Sequence, residues 1–87
     1  MTEVLNKPTV STERKEATAI TVMRCMLMSY ANENHIPFEQ AILEFSKSAT
    51  YEDLFDFETE IWKEGPDYLR ALYDEEKLMN EPVQLQA

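Results

Sequence analysis

Few residues in this chain could do chemistry. His35 is the single histidine, Cys25 the single cysteine and Gly65 the single glycine. A histidine general base needs an oriented partner. Glu33 is close in sequence, but its spacing is not the Glu-x-x-His of di-iron bundles. We read His35, next to Pro37 in a helix-to-helix link, as a surface or capping residue. Cys25 sits in the most apolar run, Ala19 to Ala31. A reactive thiolate wants positive, accessible surroundings, and Arg24 points about 100° away around a helix. Cys25 therefore reads as a small core hydrophobe. One glycine cannot build a phosphate-binding glycine loop. No Ser-His-Asp or Cys-His arrangement is readable. The expectation is a protein without catalytic residues, metal or cofactor.

Carboxylates are the abundant chemistry. Eleven of seventeen acidic residues follow Ser48, from Glu52 to Glu81, and only Lys63, Arg70 and Lys77 answer them. Glu52, Asp56, Glu60 and Glu64 recur every four residues, which on one helix would make a slowly drifting row. A calcium site needs a ligand-rich loop with a tight turn, and none is present. Like charges four apart repel slightly. The row is either a solvated face or a face awaiting a basic partner. Phosphate binding requires lysine and arginine, so direct contact with nucleic acid is not expected. Helix-turn-helix recognition is excluded by the same sign argument, because the third helix is acidic.

Aromatics embedded in the acidic half are the candidate anchors of an interface. Tyr51, Trp62 and Tyr68 are of the types that form binding hot spots, although Trp62 fits a core position better. Met23, Met26 and Met28 suit core packing or an adaptable surface. The candidate partner-binding set is thus Tyr51, Glu52, Asp56, Glu60, Trp62, Glu64 and Tyr68.

Helices must position these groups. The scarcity of glycine, with much Ala, Leu, Met and Glu, disfavours a turn-rich β fold. Residues 1–10, with Pro8, read as a flexible arm, 11–79 as one helical domain and 80–87 as a tail. Ser11 or Thr12 can cap a first helix whose apolar residues fall at Ala17, Ile20, Met23, Leu27 and Ala31, with Val22, Met26 and Tyr30 alongside. Pro37 suits the first position of a second helix bearing Phe38, Ala41, Ile42 and Phe45. Thr50-Tyr51-Glu52-Asp53 resembles a capping box opening a third helix that runs to Glu64. Gly65-Pro66 separates it from a fourth, with Gly65 expected at positive φ. The predicted core is Ile20, Met23, Leu27, Ile42, Phe45, Leu54, Ile61 and Leu72. The fold class is all-α, three or four helices in an orthogonal or bundle-like domain.

At 87 residues the chain has a thin core. The apolar run of thirteen residues is too short to cross a membrane. The amino terminus shows no signal-peptide core, and a lone cysteine fits a reducing compartment, so a cytoplasmic location is expected.

The stretch from Ser29-Tyr30-Ala31 through Pro37–Phe45 to Gly65-Pro66-Asp67-Tyr68-Leu69 resembles a family of short, uncharacterised bacterial all-helical proteins, some thought to be antitoxins encoded beside toxin-like enzymes. The shared elements are a Tyr-Ala pair closing the first helix, an apolar second helix ending in Phe, and a glycine followed by an aromatic. Members commonly carry Leu-His-Thr where this chain has Ile61-Trp62-Lys63. The resemblance implies a non-enzymatic neutraliser and supplies no catalytic residues.

Two further readings stand beside a module that binds a basic protein surface. One is a small structural homo-oligomer, most simply a dimer, paired through the wide apolar face of the first helix. The other is a DNA-mimicking inhibitor whose carboxylates imitate phosphates.

Overall fold

The computed structural model describes residues 11–80. The arm at 1–10 and the tail beyond Asn80 lie outside the described residues. Four α-helices follow in chain order: α1 (Thr12–Asn34), α2 (Phe38–Ser46), α3 (Ala49–Leu54) and α4 (Pro66–Met79). Two 3-10 turns, Phe57–Thr59 and Ile61–Lys63, join α3 to α4. No strand occurs among the described residues. The all-α class is as the sequence indicates.

The start of α1 is capped by Ser11, whose side chain accepts a hydrogen bond from the Arg14 N–H. Its end is closed by His35, which takes the left-handed conformation at φ 57°. The Ile36 N–H then reaches back to the Ala31 carbonyl at 3.0 Å, as a Schellman closure requires. His35 is thus the capping residue that its position suggested. Pro37 is the residue before α2 rather than its first residue, and its fixed φ of −65° sets the entry angle.

α1 is the long element against which α2, α4 and the second 3-10 turn pack. Its buried side chains are Ala19, Val22, Met26, Leu27, Tyr30 and Ala31. Within the expected wide face, burial is rotated toward the Val22, Met26 and Tyr30 stripe, which points inward, while Ile20 is 39% exposed and Ala17 is exposed. The rotation lets Tyr30 reach Tyr73 of α4, with ring centroids 5.4 Å apart. Of the predicted core, Leu27, Phe45 and Leu54 are fully buried. Met23, Ile42, Ile61 and Leu72 are half-buried at its rim. Cys25 is exposed, because it lies on the side of α1 turned away from the buried Leu27 and Ala31. Its expected role as a core hydrophobe is corrected accordingly.

Seven aromatic rings line the interior without a break, in the order Tyr30, Tyr73, Phe45, Tyr51, Phe55, Phe57 and Trp62. All six neighbouring pairs meet edge-to-face or tilted, the arrangement that the ring quadrupoles favour. Cations close both ends of the line. Lys15 lies 5.9 Å from the Trp62 ring, and Arg70 and Lys77 lie 5.1 and 4.4 Å from that of Tyr30.

The third helix departs most from expectation. It stops at Leu54 instead of running to Glu64, so Glu52, Asp56, Glu60 and Glu64 are not one helical row. Side chains compete with the helix for backbone groups there. Asp56 accepts from the Glu58 N–H at 3.2 Å and caps the first 3-10 turn. The Thr59 hydroxyl lies 2.8 and 2.9 Å from the carbonyls of Asp53 and Asp56, and accepts from the Ile61 N–H at 3.2 Å. The chain doubles back, and the Trp62 indole N–H donates to the Phe57 carbonyl at 3.1 Å. That fold-back buries Trp62 against α1, which a straight helix to Glu64 would not do.

Gly65 is also corrected. It lies at φ −81°, ψ 179°, the extended region, and is the residue before α4. Pro66 decides this, because its ring disfavours the helical conformation in the preceding residue.

Candidate functional site

The exposed carboxylates are carried by α3, the two 3-10 turns and the first turn of α4. Glu52, Asp53, Asp56, Glu58, Glu60, Glu64 and Asp67 are all exposed, and Lys63 is the single cation between Glu52 and Asp67. Lys63 spends its charge within the segment, 3.5 Å from Glu60. The other two cations of this half are engaged elsewhere. Arg70 Nη2 meets Glu33 Oε1 of α1 at 2.9 Å, and its Nε lies 3.0 Å from both Asp74 oxygens. These two carboxylates raise the Arg70 pKa further above its already high value, so it stays charged. Lys77 donates to the Tyr30 hydroxyl and lies 5.0 Å from the Tyr73 ring. Among the described residues, then, most carboxylates of this surface have no cationic partner.

The seven predicted site residues fall into two groups. Glu52, Asp56, Glu60, Glu64 and Tyr68 are on the surface, Tyr68 at 47% exposure. Tyr51 is half-buried against Phe45 and Phe55, and Trp62 is buried. Trp62 therefore belongs to the core, and Tyr68 is the one exposed aromatic of the three. Two of the acids also have local work. Asp56 caps a turn, as above, and Glu60 holds a left-handed conformation at φ 60°. Such a conformation costs a non-glycine residue about 1–3 kcal/mol.

Sequence reasoning missed the carboxylate that builds the start of this surface. Glu76 of α4 binds the first turn of α3: its oxygens accept from the N–H groups of Ala49 and Thr50, each at 2.8 Å, and from the Thr50 hydroxyl at 2.6 Å. Ser48 completes the end, accepting from the Tyr51 N–H at 3.0 Å and donating to the Phe45 carbonyl at 2.6 Å. The true cap of α3 is therefore Ser48, two residues before the expected Thr50. Partial burial pushes the Glu76 pKa up, but hydrogen bonds from Thr50 and from the two amides outweigh it and hold the group below the usual glutamate value. Nothing local pointed to Glu76.

A cleft of about 630 Å³ opens where α1, α2 and α4 meet, lined among others by Tyr30, Asn34, Lys47, Arg70, Tyr73 and Lys77. Tyr73 is not an activated group there. Burial first, and then Glu44, Glu76 and Asp74, push the Tyr73 phenol up, so it stays protonated near neutral pH. Cys25 borders a separate recess with Glu33, Asp67 and Arg70. Among the described residues no group of three or more metal-ligating side chains converges. No helix among them is long and apolar enough to cross a membrane.

No family model matches the chain, and no curated protein or solved structure matches it.

Proposed function

We propose that this chain is a non-enzymatic acidic module that binds a basic surface on a protein partner, in the manner of an antitoxin-like neutraliser. The observation that carries this reading is the segment from Glu52 to Asp67: seven exposed carboxylates against one lysine, on a framework whose other cations in that half are engaged with α1. Uncompensated like charges raise the free energy of the isolated protein and are relieved by a partner's lysines and arginines. A rim of this kind accelerates association and sets specificity. Glu58 and Glu64 are the informative positions to reverse, since neither side chain caps a turn or pairs with a cation among the described residues. Binding of the native partner should fall at least about tenfold in the Glu58→Lys, Glu64→Lys double variant, with helical content unchanged. Unchanged affinity would reduce the carboxylates to a solvated face.

A second reading has its own observation. Ile20 and Met28 are 39% and 59% exposed on α1, Ile20 at the margin of the buried face and Met28 about 80° further round the helix. Pairing of two copies through this helix would cover them.

A further inference from the structure

The acidic surface continues into a groove between α3 and α4. Its volume is about 430 Å³, and its apolar floor is made by Ala49, Leu72 and Met79. Leu72 and Met79 lie seven residues apart on one flank of α4, and Tyr68 extends the same flank toward the helix start. Met79 is 77% exposed and Tyr68 47% exposed, so two of the largest apolar side chains on this flank have no adequate cover. Asp53 and Glu75 stand along the walls, and no lysine or arginine lines the groove. α4 is sorted by charge: Arg70 and Lys77 occupy the opposite flank, on Tyr30 and Glu33 of α1.

We infer that this groove docks an amphipathic helix of the partner, one that lays two turns of apolar side chains on Leu72 and Met79 and sets lysines or arginines against Asp53 and Glu75. The inference rests on the acidic-module reading and adds the partner's structural class. Three observations select this occupant. The apolar floor runs about 10 Å along α4 from Leu72 to Met79, the length of two helical turns. Every charged residue that lines it is acidic, which calls for a basic flank on the ligand. Both walls are helices with no free strand edge among the described residues, so an extended peptide would gain no backbone ladder. A second copy of this chain is a poor occupant, because it carries net charge −9 and would bring carboxylates to carboxylates. Residues 81–87 of the chain contribute Glu81 and no basic residue.

The test uses the full chain and two synthetic peptides of about fourteen residues, or four helical turns. One is a leucine–lysine sequence with leucines at i, i+3, i+4 and i+7. The other has the same composition, scrambled so that no apolar face forms. Amide shifts and affinities are recorded at low ionic strength. The amphipathic peptide should bind at least about tenfold tighter than the scrambled one and shift Ala49, Asp53, Leu72, Glu75 and Met79. Met79→Asp separates the two contributions, since it removes apolar contact while adding a charge that attracts lysine. It should weaken the amphipathic peptide about tenfold. If the two peptides bind equally and Met79→Asp tightens both, the groove inference is overturned while the acidic-module reading stands. If neither peptide binds, both are overturned. Without peptide, concentration-dependent shifts at Leu72 and Met79 would make a second copy the occupant. Overhauser contacts from Val83 or Leu85 to Leu72 would make the chain's own end the occupant. Either result overturns the inference.

Discussion

The carboxylate of Glu76 and the first turn of α3 meet across 26 residues of sequence: Glu76 Oε1 accepts from both the N–H and the hydroxyl of Thr50, at 2.8 and 2.6 Å. α3 has six residues, too few for a helix to persist alone in water. Its first amides have no partner within the helix. Glu76 takes those of Ala49 and Thr50, and Ser48 takes that of Tyr51. The start of the acidic surface is therefore held by an acidic side chain from another helix, at the helix end where negative charge is favoured.

Glu76→Gln should destabilise the protein by about 1–2 kcal/mol at neutral pH, the range for losing charge-assisted hydrogen bonds. The folded-state pKa of Glu76 is depressed, so its stabilisation is full above the unfolded-state value of about 4.3. It is lost as pH falls through the lower folded-state value. Denaturant midpoints of the two proteins should therefore differ above about pH 5 and converge in acid. A constant difference at all pH values would show that the charge of Glu76 is not what matters.

Burial separates two leucine-sized residues of α1. Leu27 is fully buried and Ile20 is 39% exposed. Leu27→Ala should cost about 2–4 kcal/mol, and Ile20→Ala less than about 1 kcal/mol. Equal losses in urea titration would mean that the buried face of α1 is assigned wrongly.

Two backbone positions should behave oppositely to a glycine-centred intuition. His35 occupies the left-handed region, whereas Gly65 does not. His35→Gly removes left-handed strain but frees the unfolded chain, for a net gain of about 0.5 kcal/mol. Gly65→Ser restricts the unfolded chain and supplies the capping oxygen that α4 lacks, and an added Cβ there meets nothing within 4 Å. It should stabilise by about 0.5–1 kcal/mol. Thermal melts of both variants check the pair. A lower midpoint for Gly65→Ser would contradict the extended geometry.

Local signals were legible in the sequence, and long-range ones were not. Ser11, the helix-to-helix link at His35 and Pro37, and the Gly65-Pro66 boundary could all be read from neighbours in sequence. The length of α3 could not. Its apolar spacing through Ile61 fits a helix, and the outcome turned on hydroxyl and carboxylate side chains of Thr59 and Asp56 outbidding helical hydrogen bonds, together with burial of Trp62 on α1. The carboxylate row depended on that helix, so the same acids remain at the surface without the regular spacing. Cys25 and Ile20 were misplaced for a related reason. α1 has apolar residues around much of its circumference, and only packing against distant residues, such as Tyr30 on Tyr73, decides which side faces in. The Glu76 clamp and the Arg70–Glu33 bridge join residues far apart in sequence and leave no local pattern.

The exposed apolar residues of α1 predict association of their own. Sedimentation equilibrium should show a dimer of the 10.2 kDa chain at high concentration, and Met28→Asp should abolish it. A single monomeric species throughout would remove the oligomer reading.

The central claim is that the exposed carboxylates from Glu52 to Asp67 bind a basic protein surface. The most direct measurement is the affinity for the partner isolated from native cells, taken from about 0.01 M to about 1 M salt, over which the Debye length falls from about 30 Å to about 3 Å. The account predicts affinity that drops steeply with salt, a shallower drop for the Glu58→Lys, Glu64→Lys variant, and no binding to duplex DNA at any salt. An affinity independent of salt, and equal for the two proteins, would contradict it.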